Sequence, residues 1–299
     1  MGNGPESRWT SFSTAKSITS TLVGTALHDG AIGNLDDRCD LYLPRLRGSA
    51  YEGVTIRNVL RICSGVAWRE ENDSDGRSEV YRLSRAMWSR RAGAILDLLS
   101  KLPRAHPQGV VFNYSTGESC LLGALVAAAT GRPLADYFAE MIWGPAGMEA
   151  DGHWLLEGDG GLEWGGLGVS ARLRDVGRFG QLVLEDGEAS RGRRVLPTGW
   201  RDLAGQPDCA PTGFGRLMPG HPFGYGYQWW ALPHGPTGIH IGAFVAIGSY
   251  GQYIYVHPTA QVVAVIQSAW RHHDDSDAAI ETFALLRATL LALRPDPAS

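Results

Sequence analysis

Residues 11–16 read S-F-S-T-A-K, with a lysine three residues after the second serine. Of the 27 Lys and Arg residues in the chain, only two are lysines, Lys16 and Lys101. The stretch opens a helical pattern in which Ile18, Leu22, Val23, Ala26 and Leu27 recur at helical spacing until Asp29-Gly30 ends it. At the start of a helix, positions i and i+3 share a face, so Ser13 Oγ and Lys16 Nζ come within hydrogen-bond reach. A serine is a weak nucleophile and needs an adjacent base. A lysine serves as that base only in its neutral form, which burial and neighbouring groups can favour. An arginine cannot lose its proton in a protein and cannot take the role. A chance S-x-x-K on an amphipathic helix is the plain alternative. The rarity of lysine, and the absence of any other S-x-x-K in the chain, favour the chemical reading.

The composition around this stretch is that of a globular protein. The chain has 299 residues, 44% hydrophobic and 19% charged, with a net charge of −4. Nucleic acid and anionic membranes both call for clustered basic residues, and the arginines here are scattered. The expected partner is a small molecule, with neither nucleic acid nor membrane. Cys39, Cys63, Cys120 and Cys209 lie far apart with no C-x-x-C pair, which speaks against a zinc ribbon or a disulfide scaffold. No apolar run reaches the roughly 18–20 residues of a membrane span. Residues 1–8 are polar and glycine-rich, without a signal-peptide pattern. As given, the chain reads as soluble and cytoplasmic.

No repeat or low-complexity linker divides residues 1–299, so a single domain is expected. Helices are predicted over 13–28, over 55–63 with Thr55 as N-cap, near 80–100, near 116–130, within 131–148 and over 175–185. Residues 36–46 read as a loop and residues 158–168 as a glycine-rich segment. Strands are predicted over 225–232, 252–257 and 261–267, the last two forming a hairpin through H-P-T-A. A final helix runs from a cap at Ser276 or Asp277 to residue 294. Helices, then an antiparallel meander, then a closing helix indicate an α/β (α+β) body with a helical lobe.

Two further stretches carry potential chemistry. F-N-Y-S-T-G at 112–117 precedes a predicted helix, and a tyrosine there can present its phenol to a cleft and shuttle a proton. A ring buried in the core is the alternative. G-S-Y-G-Q at 248–252 leads into a strand, and glycines at a sheet edge let backbone N–H groups approach a ligand as an oxyanion hole. A simple tight turn is the alternative.

Six motifs in order change the weight of each. S-T-A-K, S-G-V-A-W-R-E at 64–70, Y-S-T-G-E followed by L-L-G, P-A-G-M at 145–148, G-G-L-G-V-S-A-R-L-R-D at 165–175 and G-S-Y-G-Q-Y-I-Y-V-H-P at 248–258 span nearly the whole chain. Together they resemble the serine β-lactamase-like hydrolases: class C β-lactamases, DD-peptidases, family VIII esterases and, in texture, 6-aminohexanoate-dimer hydrolases. The resemblance implies an antiparallel sheet flanked by helices, with a helical lobe. It implies hydrolysis of an amide or ester through an acyl-enzyme, with no cofactor and no metal. Ser13 is then the nucleophile, Lys16 its base or the base's electrostatic partner, and Tyr114 the proton relay. The N–H groups of Ser13 and Ser249 form the oxyanion hole, and Gly248, Trp68 and Thr116 line the substrate site.

The chain departs from that family in three places. Class C enzymes carry Y-x-N where this chain has Tyr114-Ser115-Thr116. They carry K-T-G where the best-aligned triplet here is Ala246-Ile247-Gly248, with His240-Ile241-Gly242 a poorer alignment. The lost cation removes a partner for a β-lactam carboxylate, so β-lactamase or DD-peptidase activity ranks as the alternative. Asn72 stands where some amide hydrolases of the group have an aromatic residue. Members also carry a substantial segment before S-x-x-K that completes the central sheet. The resemblance therefore implies an N-terminally truncated fold lacking the usual N-terminal strands, with a non-catalytic relic as the reading of another class. Other templates fail: the chain contains no G-x-S-x-G, no P-loop and no H-E-x-x-H, while His272-His273-Asp274-Asp275 reads as a polar loop.

Overall fold

The architecture follows from which apolar patterns can be covered on both sides. The computed structural model describes residues 4–71, 76–206, 223–233 and 237–293. In chain order the regular elements are β1 (Arg8–Thr10), α1 (Thr14–His28), α2 (Cys39–Tyr42), α3 (Ile56–Leu60), α4 (Glu79–Met87), α5 (Ala94–Leu99), α6 (Thr116–Thr130) and α7 (Leu134–Phe138). There follow β2 (His153–Trp154), β3 (Val169–Arg172), α8 (Leu173–Leu184), α9 (Trp200–Gly205), β4 (Gly224–Tyr225), β5 (Trp230–Ala231), β6 (Phe244–Gly248), β7 (Gln252–His257), β8 (Val262–Ile266) and α10 (Ser276–Ala292).

The main sheet is antiparallel, in the order β4-β5-β6-β7-β8. Its side chains alternate between two cores. Phe244, Ala246, Ile254 and Val256 join the larger core, against which Val263 and Val265 pack. Val245, Tyr253 and Tyr255 face the other way and meet Leu286 and Leu290 of α10. The α1 and α8 helices pack on the first face, so the sheet lies between helical layers. A small second sheet, β1-β3-β2, ties residues 8–10 antiparallel to Val169–Arg172. The helical lobe is built on α6, which touches α1, α2, α3, α4, α5 and α7. The α1 helix packs against both α6 and strands β6 and β7, so its N-terminus opens where lobe and sheet meet.

The predicted α/β (α+β) class, the antiparallel meander, the hairpin and the helices over 13–28, 55–63, 116–130 and 175–185 are present within a residue or a few at each end. Thr55 caps α3 by accepting from the Asn58 N–H at 3.3 Å. Several expectations are corrected. The helix predicted near 80–100 is two helices, because Arg90 and Gly93 adopt positive φ (55° and 81°) and turn the chain between them. Residues 225–232 are not one strand: β4 and β5 pair with each other, and the chain reverses at Gln228, whose φ is 63°. The 36–46 segment contains α2 and a short 3₁₀ turn, Pro44–Leu46. The α10 helix is capped by Asp275, which accepts from the Ala278 N–H at 3.1 Å, and not by Ser276 or Asp277. Strands β1, β2, β3 and β6 and helix α9 were unassigned in the sequence. Cys209, Asn72 and the predicted helix end at residue 294 lie outside the described residues.

Candidate active site

Ser13 occupies the N-cap position of α1, where a serine hydroxyl usually accepts from the helix's first N–H groups. Here it makes no such bond. Instead Lys16 Nζ lies 3.1 Å from Ser13 Oγ. Lys16 is 1% exposed, and its amine also donates to Thr116 Oγ1 at 2.9 Å and to the Gly166 carbonyl at 3.0 Å. Three oxygens thus surround the buried nitrogen, so none of its polar positions is left without a partner.

Each partner is delivered by a separate element. Thr116 opens α6, behind the Ser115 N-cap, whose hydroxyl accepts from the Glu118 N–H at 3.2 Å. Gly166 belongs to the glycine-rich segment and lies flush on α6: a Cβ there would meet the Thr116 methyl at 2.8 Å and its carbonyl at 2.9 Å. Only a glycine brings that carbonyl so close to the helix start. Tyr114 directs its ring toward Lys16, with Nζ 5.2 Å from the centroid. Stacking on Trp230 at 5.5 Å and an edge contact with Tyr225 at 6.1 Å hold that ring.

Strand β6 completes the site. Its last residue, Gly248, lies so close to the serine segment that a Cβ there would stand 2.5 Å from the Ser11 carbonyl and 3.2 Å from the Ser13 nitrogen. This contact fixes Ala246-Ile247-Gly248 as the triplet at the site. His240 lies ahead of β6 and pairs through Nδ1 with the Tyr255 hydroxyl at 2.9 Å. Ser249 follows Gly248 at the cleft. The neighbours of both serines are strained: Phe12 has φ of 45° and Tyr250 has φ of 61°, and their rings meet at 5.1 Å. Such non-glycine conformations cost about 1–3 kcal/mol each and persist where the surroundings enforce them.

The cleft over Ser13 measures about 530 Å³. Trp88, Trp164, Leu167, Trp230 and Trp270 form apolar walls, and Glu70, Glu71 and Asp274 contribute acidic groups. No arginine lines it among the described residues. Six of the seven residues singled out in the sequence line it or meet at its floor: Ser13, Lys16, Tyr114, Thr116, Gly248 and Ser249. Trp68 is the exception. It is 6% exposed, packs where a Cβ on Gly117 would fall, and lines a neighbouring cavity of about 380 Å³. Its indole N–H donates to Glu70 at 2.6 Å, so it backs the site without reaching the cleft.

Sequence reasoning did not single out two participants. Glu70 accepts from the Thr116 N–H at 2.9 Å and from the Thr116 hydroxyl. Its signal was its place at the end of S-G-V-A-W-R-E. Gly166 acts through a backbone carbonyl, which no residue-type pattern reveals. The thiols of Cys39, Cys63 and Cys120 are buried, and burial pushes those of Cys39 and Cys120 up, the latter to about 12. They are inert packing groups. Among the described residues no cluster of three or more His, Cys, Asp or Glu could hold a metal ion, and no helix is long and apolar enough to cross a membrane.

Comparison with known proteins gives a consistent answer. The family model described as Beta-lactamase matches residues 2–289. The 6-aminohexanoate-dimer hydrolase of Paenarthrobacter ureafaciens is 30% identical over 280 residues, covering 91% of this chain and 69% of that one. A Bacillus anthracis structure provisionally named a 6-aminohexanoate-dimer hydrolase superposes with a TM-score of 0.80 at 24% identity, covering 99% of this chain and 76% of the other. A β-lactamase structure from Mycobacterium bovis gives a TM-score of 0.66 at 18% identity, covering 97% and 89%.

Proposed function

The chain belongs to the β-lactamase family, and from that premise we propose that it is a serine hydrolase that cleaves an amide or ester bond through an acyl-enzyme on Ser13. The observation that carries the proposal is the buried Lys16 amine, 3.1 Å from Ser13 Oγ at the floor of a cleft large enough for a small-molecule substrate.

In the first half-reaction the Ser13 O–H bond breaks, its proton passes to Lys16 Nζ, and Oγ forms a bond to the substrate carbonyl carbon. Negative charge then develops on the carbonyl oxygen. The N–H groups of Ser13 and Ser249 receive it, a role supported by the close approach of Gly248 to the Ser13 nitrogen, and one such donor is typically worth about 3–4 kcal/mol. The α1 N-terminus adds a favourable potential at the same point. Tyr114 passes a proton to the departing amine or alcohol and recovers one from Lys16. Water then attacks the acyl-serine along the reverse path, releasing the acid and returning the proton to Ser13. No step calls for a cofactor.

The cleft favours this reading over β-lactam hydrolysis. A β-lactam presents a carboxylate, and the lining offers Glu70, Glu71 and Asp274, with His273 as its one basic side chain among the described residues. Lys16 Nζ is already engaged with Ser13, Thr116 and Gly166. Relatedness to a 6-aminohexanoate-dimer hydrolase supports an amide substrate of low molecular weight.

A fluorophosphonate probe tests the proposal. Intact-mass and peptide analysis should find one adduct on Ser13, absent in Ser13→Ala. A folded protein that takes no label overturns it. Hydrolysis of nitrocefin without hydrolysis of short-chain esters would transfer the assignment to a β-lactamase.

A further inference from the structure

Glu70 is half-buried at the cleft and accepts three hydrogen bonds: from the Trp68 indole N–H at 2.6 Å, the Thr116 N–H at 2.9 Å and the Thr116 hydroxyl. A carboxylate in this arrangement accepts and does not donate. The Thr116 hydroxyl proton is therefore committed to Glu70, and toward Lys16 the Thr116 oxygen offers only a lone pair. The Gly166 carbonyl likewise only accepts.

These directions decide what the amine can do. A neutral lysine has two N–H bonds and one lone pair. Thr116 and Gly166 each require an N–H, at 2.9 and 3.0 Å. The remaining position on nitrogen faces Ser13 Oγ at 3.1 Å. We infer that Glu70 is a positioning residue which, by fixing the Thr116 hydroxyl as an acceptor, aims the Lys16 lone pair at the Ser13 proton. When Ser13 gives up that proton, the Ser13 O–H bond breaks and a third N–H forms on Lys16. Thr116 keeps its own proton and Glu70 stays an acceptor throughout. Without Glu70 the Thr116 hydroxyl is free to turn and donate to Lys16, which takes the lone pair away from Ser13.

A purely structural role is the competing account, because Glu70 also anchors the first N–H of α6. The two accounts differ in a double-mutant cycle read on the rate of Ser13 labelling by fluorophosphonate. Glu70→Gln and Thr116→Val should each slow labelling at least tenfold in protein that melts cooperatively. Their combination should slow it no further, and Thr116→Ser should recover labelling relative to Thr116→Val. If Glu70→Gln does not fold, Glu70→Asp, which keeps an acceptor-only carboxylate one methylene short, takes its place in the cycle. Labelling of the Glu70 variant at the wild-type rate, or losses that multiply in the double variant, would overturn the inference. It rests on the serine-hydrolase reading, and the outcomes are separable. An unlabelled wild-type protein defeats that reading itself. A labelled wild type with an equally reactive Glu70 variant defeats only the role of Glu70.

Discussion

At the scale of single residues, two buried ionisable groups obey opposite requirements. Lys16 is buried with a polar partner at each position on its nitrogen. Replacing it with arginine retains the charge but removes any capacity to accept a proton. Lys16→Arg should lower ester turnover by about 10²–10⁴-fold, the usual contribution of a positioned base, as measured by initial rates. Glu118 is buried with one oxygen bonded to the Ser64 hydroxyl and the other unpaired. Burial pushes its carboxyl up to about 8 from an ordinary 4.5. The folded protein thus keeps a proton that the unfolded chain releases. The stability this group contributes is complete below about pH 4.5 and is lost as pH rises through about 8. Urea melts at acidic and mildly alkaline pH should show a smaller loss of stability for Glu118→Gln than for the wild type. Ser13 and Lys16 were legible because i,i+3 spacing on a helix is a geometric fact. Glu118 was not: its burial depends on α3, α6 and the 64–66 turn converging, which no local pattern encodes.

At the scale of elements, α1 marks the limit of periodicity. Its apolar positions predict one buried face, yet Thr14–Ala26 are buried on every side. Its hydroxyls are satisfied by carbonyls elsewhere: Ser17 by Gln228 at 2.6 Å, Thr19 by Gly165 at 2.6 Å and Ser20 by Tyr227 at 2.6 Å. Short polar side chains with committed partners are as admissible inside as alanine. Strand β6 was missed for a related reason. Five apolar residues covered on both faces show no alternation to read. Close packing around α1 also explains Gly24, where a Cβ would fall 2.5 Å from the buried Trp200 indole. Gly24→Ala should destabilise by about 1–3 kcal/mol, despite its higher helix propensity, in a denaturant titration.

At the scale of the whole molecule, the sheet separates the largest core from a second one on its other face, and α10 alone among the described helices contributes residues to that second core. Leu286 is 3% exposed against β6 and β7, whereas its neighbour Leu285 is 58% exposed. Leu286→Ala should cost about 2–5 kcal/mol and Leu285→Ala less than about 0.5 kcal/mol, compared by equilibrium unfolding. The sequence order of helices, meander and closing helix made this layering legible. Which residues of α10 face inward was not, because its apolar residues surround the helix and the sheet decides among them. The shortage of lysine has a last consequence at this scale. Lys101 is exposed and Lys16 is sealed, so an amine-directed acylating reagent should mark position 101 in the native protein and reach position 16 only when the lobe and sheet part. The ratio of the two modified peptides then works as a built-in gauge of opening, read from the one amine the catalytic proposal depends on.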